Sequence, residues 1–305
     1  MKKSYRVAGH VFQVAVDEGS VIWERMRESY GPFDISMSDH DDTGLCFSAE
    51  VSANPVSDDY VSVWKEAPVY SNKETVEPGF IIIDVYRSGK GHYFEFTQPG
   101  SDVVNGYLCV DSDFREARMF LNGTEIQKWL TFNTGINFCF LLATACRNTV
   151  LVHASCVTYK DKAYLFLGKS GTGKSTHSRM WLSALEGVTL MNDDHPVISV
   201  GEDGIPVAYG SPWSGKTRCY KNMQAPVGGV IRISRAPYNK ARRLSMIESY
   251  ASLMTSCSGM TWEKELADGR DCTIQNIVRS VPCWVMECLP DEDAAKVCCN
   301  TVTKE

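Results

Sequence analysis

Residues 163–176 read Ala-Tyr-Leu-Phe-Leu-Gly-Lys-Ser-Gly-Thr-Gly-Lys-Ser-Thr. An apolar, strand-like run enters a glycine-rich turn, and the turn opens into a helical pattern over residues 176–185. Gly168, Lys169, Ser170, Gly171, Thr172, Gly173, Lys174 and Ser175 fit the spacing G-x-x-x-x-G-K-[ST]. Glycines at such positions let successive backbone N–H groups converge on phosphate oxygens, with the positive end of the helix behind them. In this pattern Lys174 reaches the outer phosphates of a nucleoside triphosphate and the Ser175 hydroxyl ligates Mg²⁺, with Thr176 next in the helix. The strand before and the helix after are the context this chemistry needs, so the stretch predicts a strand–loop–helix unit of an α/β domain.

Downstream, residues 188–191 form an apolar strand pattern that ends in Asn192, Asp193 and Asp194. Residues at the carboxyl end of a strand face the ligand crevice of an open α/β sheet, so Asp193 and Asp194 are candidate metal holders. Adjacent strand residues point to opposite faces, and only one aims directly at a metal unless the chain bends. The alternative is an Asn-Asp-Asp turn leading into Pro196. Upstream, His153 ends the strand at 149–153, where a lone histidine is more often a hydrogen-bonded packing residue. His177 and His195 read as solvent-facing. Residues 211–218 form a Pro-Trp and glycine-flanked loop whose Lys216 and Arg218 either meet a phosphate or an acidic substrate or belong to an ordinary surface loop.

The rest of the chain divides at residue 122. Residues 1–122 read as strands and turns: alternation at 5–16, β-prone runs at 45–51 and 60–64, a buried-strand run at 80–86 with a hairpin partner at 92–97, and a second hairpin pairing 107–110 with 116–120. This is a small β-rich domain whose sequence carries no recognisable chemistry. Over residues 123–305, Thr124 caps a helix from 125 to about 145, apolar all round in its second half and so buried. Then come strand, loop and helix in alternation, which predicts a substantially parallel sheet. A hairpin (197–200 and 205–209), a strand at 227–233, helices at 242–256 and 262–279, a strand at 283–288 and a helix at 292–299 complete it.

Composition removes several classes of function. The chain has 305 residues with 31 basic and 37 acidic side chains, a net charge of -6, and lacks the basic stripe expected of a nucleic-acid partner. The longest strongly apolar run, 136–145, falls far short of the roughly 20 residues that span a bilayer, so no membrane is expected. His10 and Gln13 break any apolar core at the N-terminus, and the twelve cysteines are spread without a C-x-x-C pair. Reduced thiols and a cytoplasmic location follow as expectations.

His153, Ala154 and Ser155, then the loop from Gly168 to Thr176, then Leu190, Met191, Asn192, Asp193 and Asp194 resemble, in order and spacing, the core shared by HPr kinase/phosphorylase and ATP-dependent phosphoenolpyruvate carboxykinase. The resemblance covers about residues 150–235 and implies a carboxykinase-like P-loop domain with a mixed sheet, preceded by the β-rich domain. It implies ATP and Mg²⁺, or manganese in its place, served by Lys174 and Ser175. In the HPr kinase version Asp193 is the base toward a seryl hydroxyl, with His153 beside it and Asp194 on the metal. In the carboxykinase version His153 and Asp194 are the metal ligands. Carboxykinases are much longer, and their arginine-bearing substrate segments have no counterpart here. The Glu-Ile-Arg-Gly-type signature of HPr kinases is also missing, its region taken by the loop carrying Lys216 and Arg218. The chain looks most like HPr-kinase-related proteins with a β-rich N-terminal domain, some of which phosphorylate serine in a small peptide or as the free amino acid.

The expected function is therefore an ATP- and Mg²⁺-dependent kinase acting on a hydroxyl, seryl by resemblance, of a peptide, protein or small molecule. Asp193, His153, Lys174, Lys216 and Arg218 are its catalytic candidates, and Ser175, Asp194 and Asp193 its metal candidates. The rival is a catalytically silent ATP-binding regulatory or scaffold protein. Pyrophosphate or phosphate use, as in HPr phosphorylases, stays open, and the resemblance implies a homo-oligomer.

Overall fold

The computed structural model describes residues 1–35, 44–52, 67–74, 76, 81–89, 91–101 and 103–304. Its strands are β1 (Lys2–Val7), β2 (His10–Ala15), β3 (Asp34–Ile35), β4 (Leu45–Ser52), β5 (Tyr70–Ser71), β6 (Ile82–Ser88), β7 (Gly91–Thr97), β8 (Val104–Asp111), β9 (Glu116–Leu121), β10 (Thr149–Leu151), β11 (Ala154–Tyr159), β12 (Lys162–Leu167), β13 (Thr189–Asp194), β14 (Val197–Val200), β15 (Pro206–Tyr209), β16 (Gln224–Arg235), β17 (Lys240–Arg243) and β18 (Cys283–Cys288). The helices are α1 (Val21–Ser29), α2 (Glu125–Thr144), α3 (Lys174–Ala184), α4 (Met246–Met254), α5 (Lys264–Ser280) and α6 (Glu292–Val302). The protein is mixed α/β, and the chain divides into two compact units, Met1–Thr144 and Ala145–Glu305.

The first unit is a sheet ordered β3-β1-β2-β4-β9-β8-β7-β6-β5, antiparallel except where β4 pairs with β2 and β9. The expected hairpins at β6/β7 and β8/β9 are present, the second closed by Asp111, whose Oδ1 accepts from the backbone N–H groups of Arg115 and Glu116. The run at 60–64 lies outside the described residues. Thr124 caps α2 as expected: its N–H donates to Gln127 Oε1 at 2.8 Å, and its Oγ1 accepts from the Gln127 N–H. Phe132, Ile136, Phe140 and Leu142 of α2 are buried, and the helix packs on β4, β8 and β9. That packing puts α2 in the first unit, so the division falls after Thr144, later than residue 122. A helix apolar all round stays with the sheet that covers it. The short helix α1, capped by Ser20, interrupts what reads as strands and turns.

The second unit is one mixed sheet, ordered β10-β14-β15-β16-β12-β11-β13 with β18 and then β17 branching from β16. Only β12 with β16 and β16 with β18 are parallel, which corrects the substantially parallel sheet expected from the alternation. The cause is β11, a strand the alternation hides. It returns antiparallel against β12 through a two-residue turn, Lys160 and Asp161, both at positive φ. The helix expected from residue 242 starts later: residues 240–243 form the edge strand β17, and α4 starts only at its Ser245 cap with Glu248 completing the capping box.

Strand β12 divides two cores by its period of two. Ala163, Leu165 and Leu167 face one, with Leu253 of α4 and Ile274 and Ile277 of α5. Tyr164 and Phe166 face the other, with Trp181 of α3 and Ala294, Ala295 and Cys298 of α6. Helices therefore cover both faces, and the loop from β12 to α3 emerges at the sheet's end. Ten of the twelve cysteines are buried. No helix among the described residues is long and apolar enough to cross a membrane.

Candidate functional site

The order β13-β11-β12 sets the site. Because β11 runs antiparallel between its two neighbours, Ala154 lies opposite both Leu167 and Asp194, and Ser155 opposite both Phe166 and Asp193. Its beginning is thus level with the ends of β12 and β13, and His153, the glycine-rich loop and the two aspartates meet at one edge of the sheet.

The loop has the backbone its glycines allow. Gly173, which precedes α3, sits at φ 113°, a left-handed conformation open to glycine at little cost. Gly168, at φ 154°, would drive a Cβ into the Thr172 side chain, whose Oγ1 donates to the Lys169 carbonyl at 2.8 Å. Lys174 is buried, and its Nζ donates to the carbonyls of Gly168 at 2.9 Å and Lys169 at 3.4 Å. Arg235, at the end of β16, donates from its guanidinium to the Gly171 carbonyl.

A buried amide network shapes the aspartate turn. Asn192 Nδ2 donates to Ser211 Oγ and to the carbonyls of Ser211 and Trp213, and Ser211 Oγ donates to the His195 carbonyl at 2.6 Å. Asn192 Oδ1 accepts the Asp194 N–H at 2.9 Å. Asp193 is buried at 7% exposure and its Oδ1 has no hydrogen-bond partner among the described residues. Such an atom costs stability unless a ligand engages it.

Asp194 stands between two imidazoles: His195 Nδ1 is 3.1 Å from its Oδ2, and His153 Nε2 is 3.6 Å from its Oδ1. The two rings stack at 5.7 Å between centroids and 17° between planes. Burial alone would push the Asp194 carboxyl up; His195, by charge and hydrogen bond, then His153 and Lys174 outweigh it and hold the group below the usual carboxylate range. His195 is therefore part of the site and not the solvent-facing residue its sequence position implies. Proximity to Asp194 is the only signal the sequence holds for it.

The loop at 211–218 packs its backbone on the aspartates. A Cβ on Gly215 would lie 3.0 Å from the Asp193 carbonyl oxygen and 3.4 Å from the Asp194 carboxyl carbon. Trp213 is buried beneath, while Lys216 and Arg218 are exposed on the same loop. Among the described residues no group of three or more His, Cys, Asp and Glu side chains is gathered to hold a metal ion. The metal candidates Ser175, Asp193 and Asp194 offer only oxygens, the hard donors that magnesium and manganese prefer.

His177, on α3, is also not solvent-facing. It is 1% exposed, stacks edge-on against Phe166 and accepts the Trp181 indole N–H on Nε2 at 3.2 Å. Burial pulls it from 6.5 to about 4, so the folded protein keeps it neutral between those values while the unfolded chain protonates it. Stability falls as pH drops through that window, by up to about 3 kcal/mol. Urea melts of the wild type at pH 6.5 and 4.5 should show this loss, and His177→Phe should shrink it.

No protein-family model matches the chain, and no curated protein matches it.

Proposed function

We propose that the second unit is a carboxykinase-like P-loop domain and that the protein is an ATP-dependent kinase that transfers the γ-phosphoryl group to a hydroxyl, seryl in the first instance. The observation that carries this reading is the buried, unpartnered Oδ1 of Asp193, level in the sheet with the end of the strand that feeds the phosphate loop. A carboxylate oxygen left without a donor at that point has the chemistry of a base waiting for a hydroxyl proton.

In this reading the loop from Gly168 to Thr176 binds the phosphates through its backbone N–H groups, and Lys174 turns its ammonium from the loop carbonyls to the outer phosphates. Ser175 and Asp194 hold magnesium, or manganese in its place, which supplies neutralising charge on the phosphates when bound. Asp193 takes the acceptor proton, and His153 and His195 keep Asp194 ionised. Lys216 and Arg218 supply positive charge on the acceptor side.

The test is incubation with γ-labelled ATP, magnesium, and a panel of seryl peptides and free hydroxy amino acids. Label on a hydroxyl is the expected result. Tight binding with neither transfer nor hydrolysis would instead make the protein a nucleotide-binding regulatory or scaffold protein. Gly215→Ala refines the test, because its Cβ crowds both aspartates while its own backbone is compatible with alanine. Turnover should fall about tenfold or more with the melting temperature nearly unchanged. A normal rate would show that the 211–218 loop does not set the aspartate geometry.

A further inference from the structure

On the side of the phosphate loop away from Asp193 lies a cleft of about 550 Å³. The loop closes one end, and the walls carry Met180 of α3, Ile233, Arg235 and Ala236 at the end of β16, and Leu289 and Pro290 just after β18. In the sheet order β13-β11-β12-β16-β18 this is the opposite flank from the aspartates, with the loop between. A molecule whose phosphates lie on the loop and whose reacting end faces Asp193 has its other end directed into this cleft.

Resting on the kinase reading above, we propose that the cleft seats the nucleobase of the donor nucleotide by packing, with Arg235 joining the base seat to the phosphate loop, and that it therefore takes adenine and guanine nucleotides alike. The volume lies within the range of small-molecule sites, about 300–1,000 Å³. Leu289 is 39% exposed although it lines a concavity, which leaves apolar surface for a flat ring to cover. Arg235 reaches the Gly171 carbonyl with part of its guanidinium. A guanidinium has five N–H donors in a planar fork, so donors remain for a phosphate or ribose oxygen at the junction. Thr176, Cys288 and His177, whose Nε2 already accepts from Trp181, also line the cleft, but most of its wall beyond the loop is Met, Ile, Ala, Leu and Pro, which measure area and shape, and an apolar wall rejects a polar isostere only weakly.

Calorimetric titration of the full chain with ATP, GTP and inorganic tripolyphosphate, each with magnesium, tests this. ATP and GTP should bind within about tenfold of each other, and both at least about tenfold tighter than tripolyphosphate. Ala236→Phe, which fills the cleft from its rim, and Leu289→Asp, which puts a charge on a half-exposed wall, should each erase the nucleotides' advantage and leave tripolyphosphate binding unchanged. Arg235→Ala should weaken all three. Equal binding of ATP and tripolyphosphate by the wild type, or an advantage that survives both cleft variants, overturns the base seat while leaving the phosphate loop intact. A preference for one purine above about a hundredfold overturns recognition by packing. Failure of all three to bind overturns the kinase reading itself, and the base seat with it.

Discussion

Lys174→Ala should lower turnover by about a thousandfold or more while the protein stays folded. Lys174 is 8% exposed, and its Nζ is held by the carbonyls of Gly168 and Lys169, so the ammonium is stationed at the loop before any phosphate arrives. The other cations of the loop do not replace it: Lys169 is exposed, and Arg235 is tied to the Gly171 carbonyl. The fold should survive because alanine is the best helix former for the first position of α3, and of the two released carbonyls that of Lys169 belongs to an exposed residue, which leaves only that of the buried Gly168 without its donor. Circular dichroism melts should therefore overlay within a few degrees, and single-turnover rates should not. A rate within about threefold of wild type would mean that the loop does not hold the reacting phosphates.

Asp193→Asn should lower the transfer rate by about a hundredfold to ten-thousandfold, the usual share of a general base, with nucleotide affinity close to wild type. The amide has nearly the volume of the carboxylate, so the Asn192, Ser211 and Trp213 network around it is undisturbed. What disappears is the negative charge on a buried group whose Oδ1 lacks a partner. Removing charge from a buried group with one unpartnered oxygen relieves the fold, and the melting temperature should hold or rise. Loss of rate with gain of stability separates a working group from a structural one, because a structural carboxylate would lose both together. Nucleotide affinity that collapses in this variant would move Asp193 from base to metal or phosphate binder.

The parts of this molecule that rest on short-range pattern were legible. The G-x-x-x-x-G-K-S spacing, the apolar strand ending in Asp193 and Asp194, and the Thr124 cap each lie within a few residues of chain. Pairing across distance was not. Strand β11 hides because it begins one residue after the strand read at 149–153, and its hairpin turn, Lys160 and Asp161, has only an aspartate to mark the positive φ at both positions. Strand β17 hides because Lys240, Arg242 and Arg243 are charged, as an edge strand often is, and a helix follows two residues later. His177 and His195 illustrate the same limit. One is buried against Phe166 and Trp181 and the other is held beside Asp194, and no local spacing distinguishes them from surface residues. Arg235 belongs to no motif, and only the parallel pairing of β12 with β16 brings its strand beside the phosphate loop. The division between the units moved for a related reason: α2 is next to the second unit in sequence but buries its apolar surface on β4, β8 and β9.

On the proposed function, the sheet edge where His153, the phosphate loop and the aspartates meet moves a phosphoryl group and does not merely bind one. A single-turnover experiment with γ-labelled ATP, enzyme in excess and a seryl acceptor mixture, addresses it most directly. Label should leave ATP for a hydroxyl, or for water in the absence of acceptor, at a rate that Lys174→Ala and Asp193→Asn each suppress. Label that stays on bound ATP in the wild type, or leaves it equally fast in both variants, would contradict it.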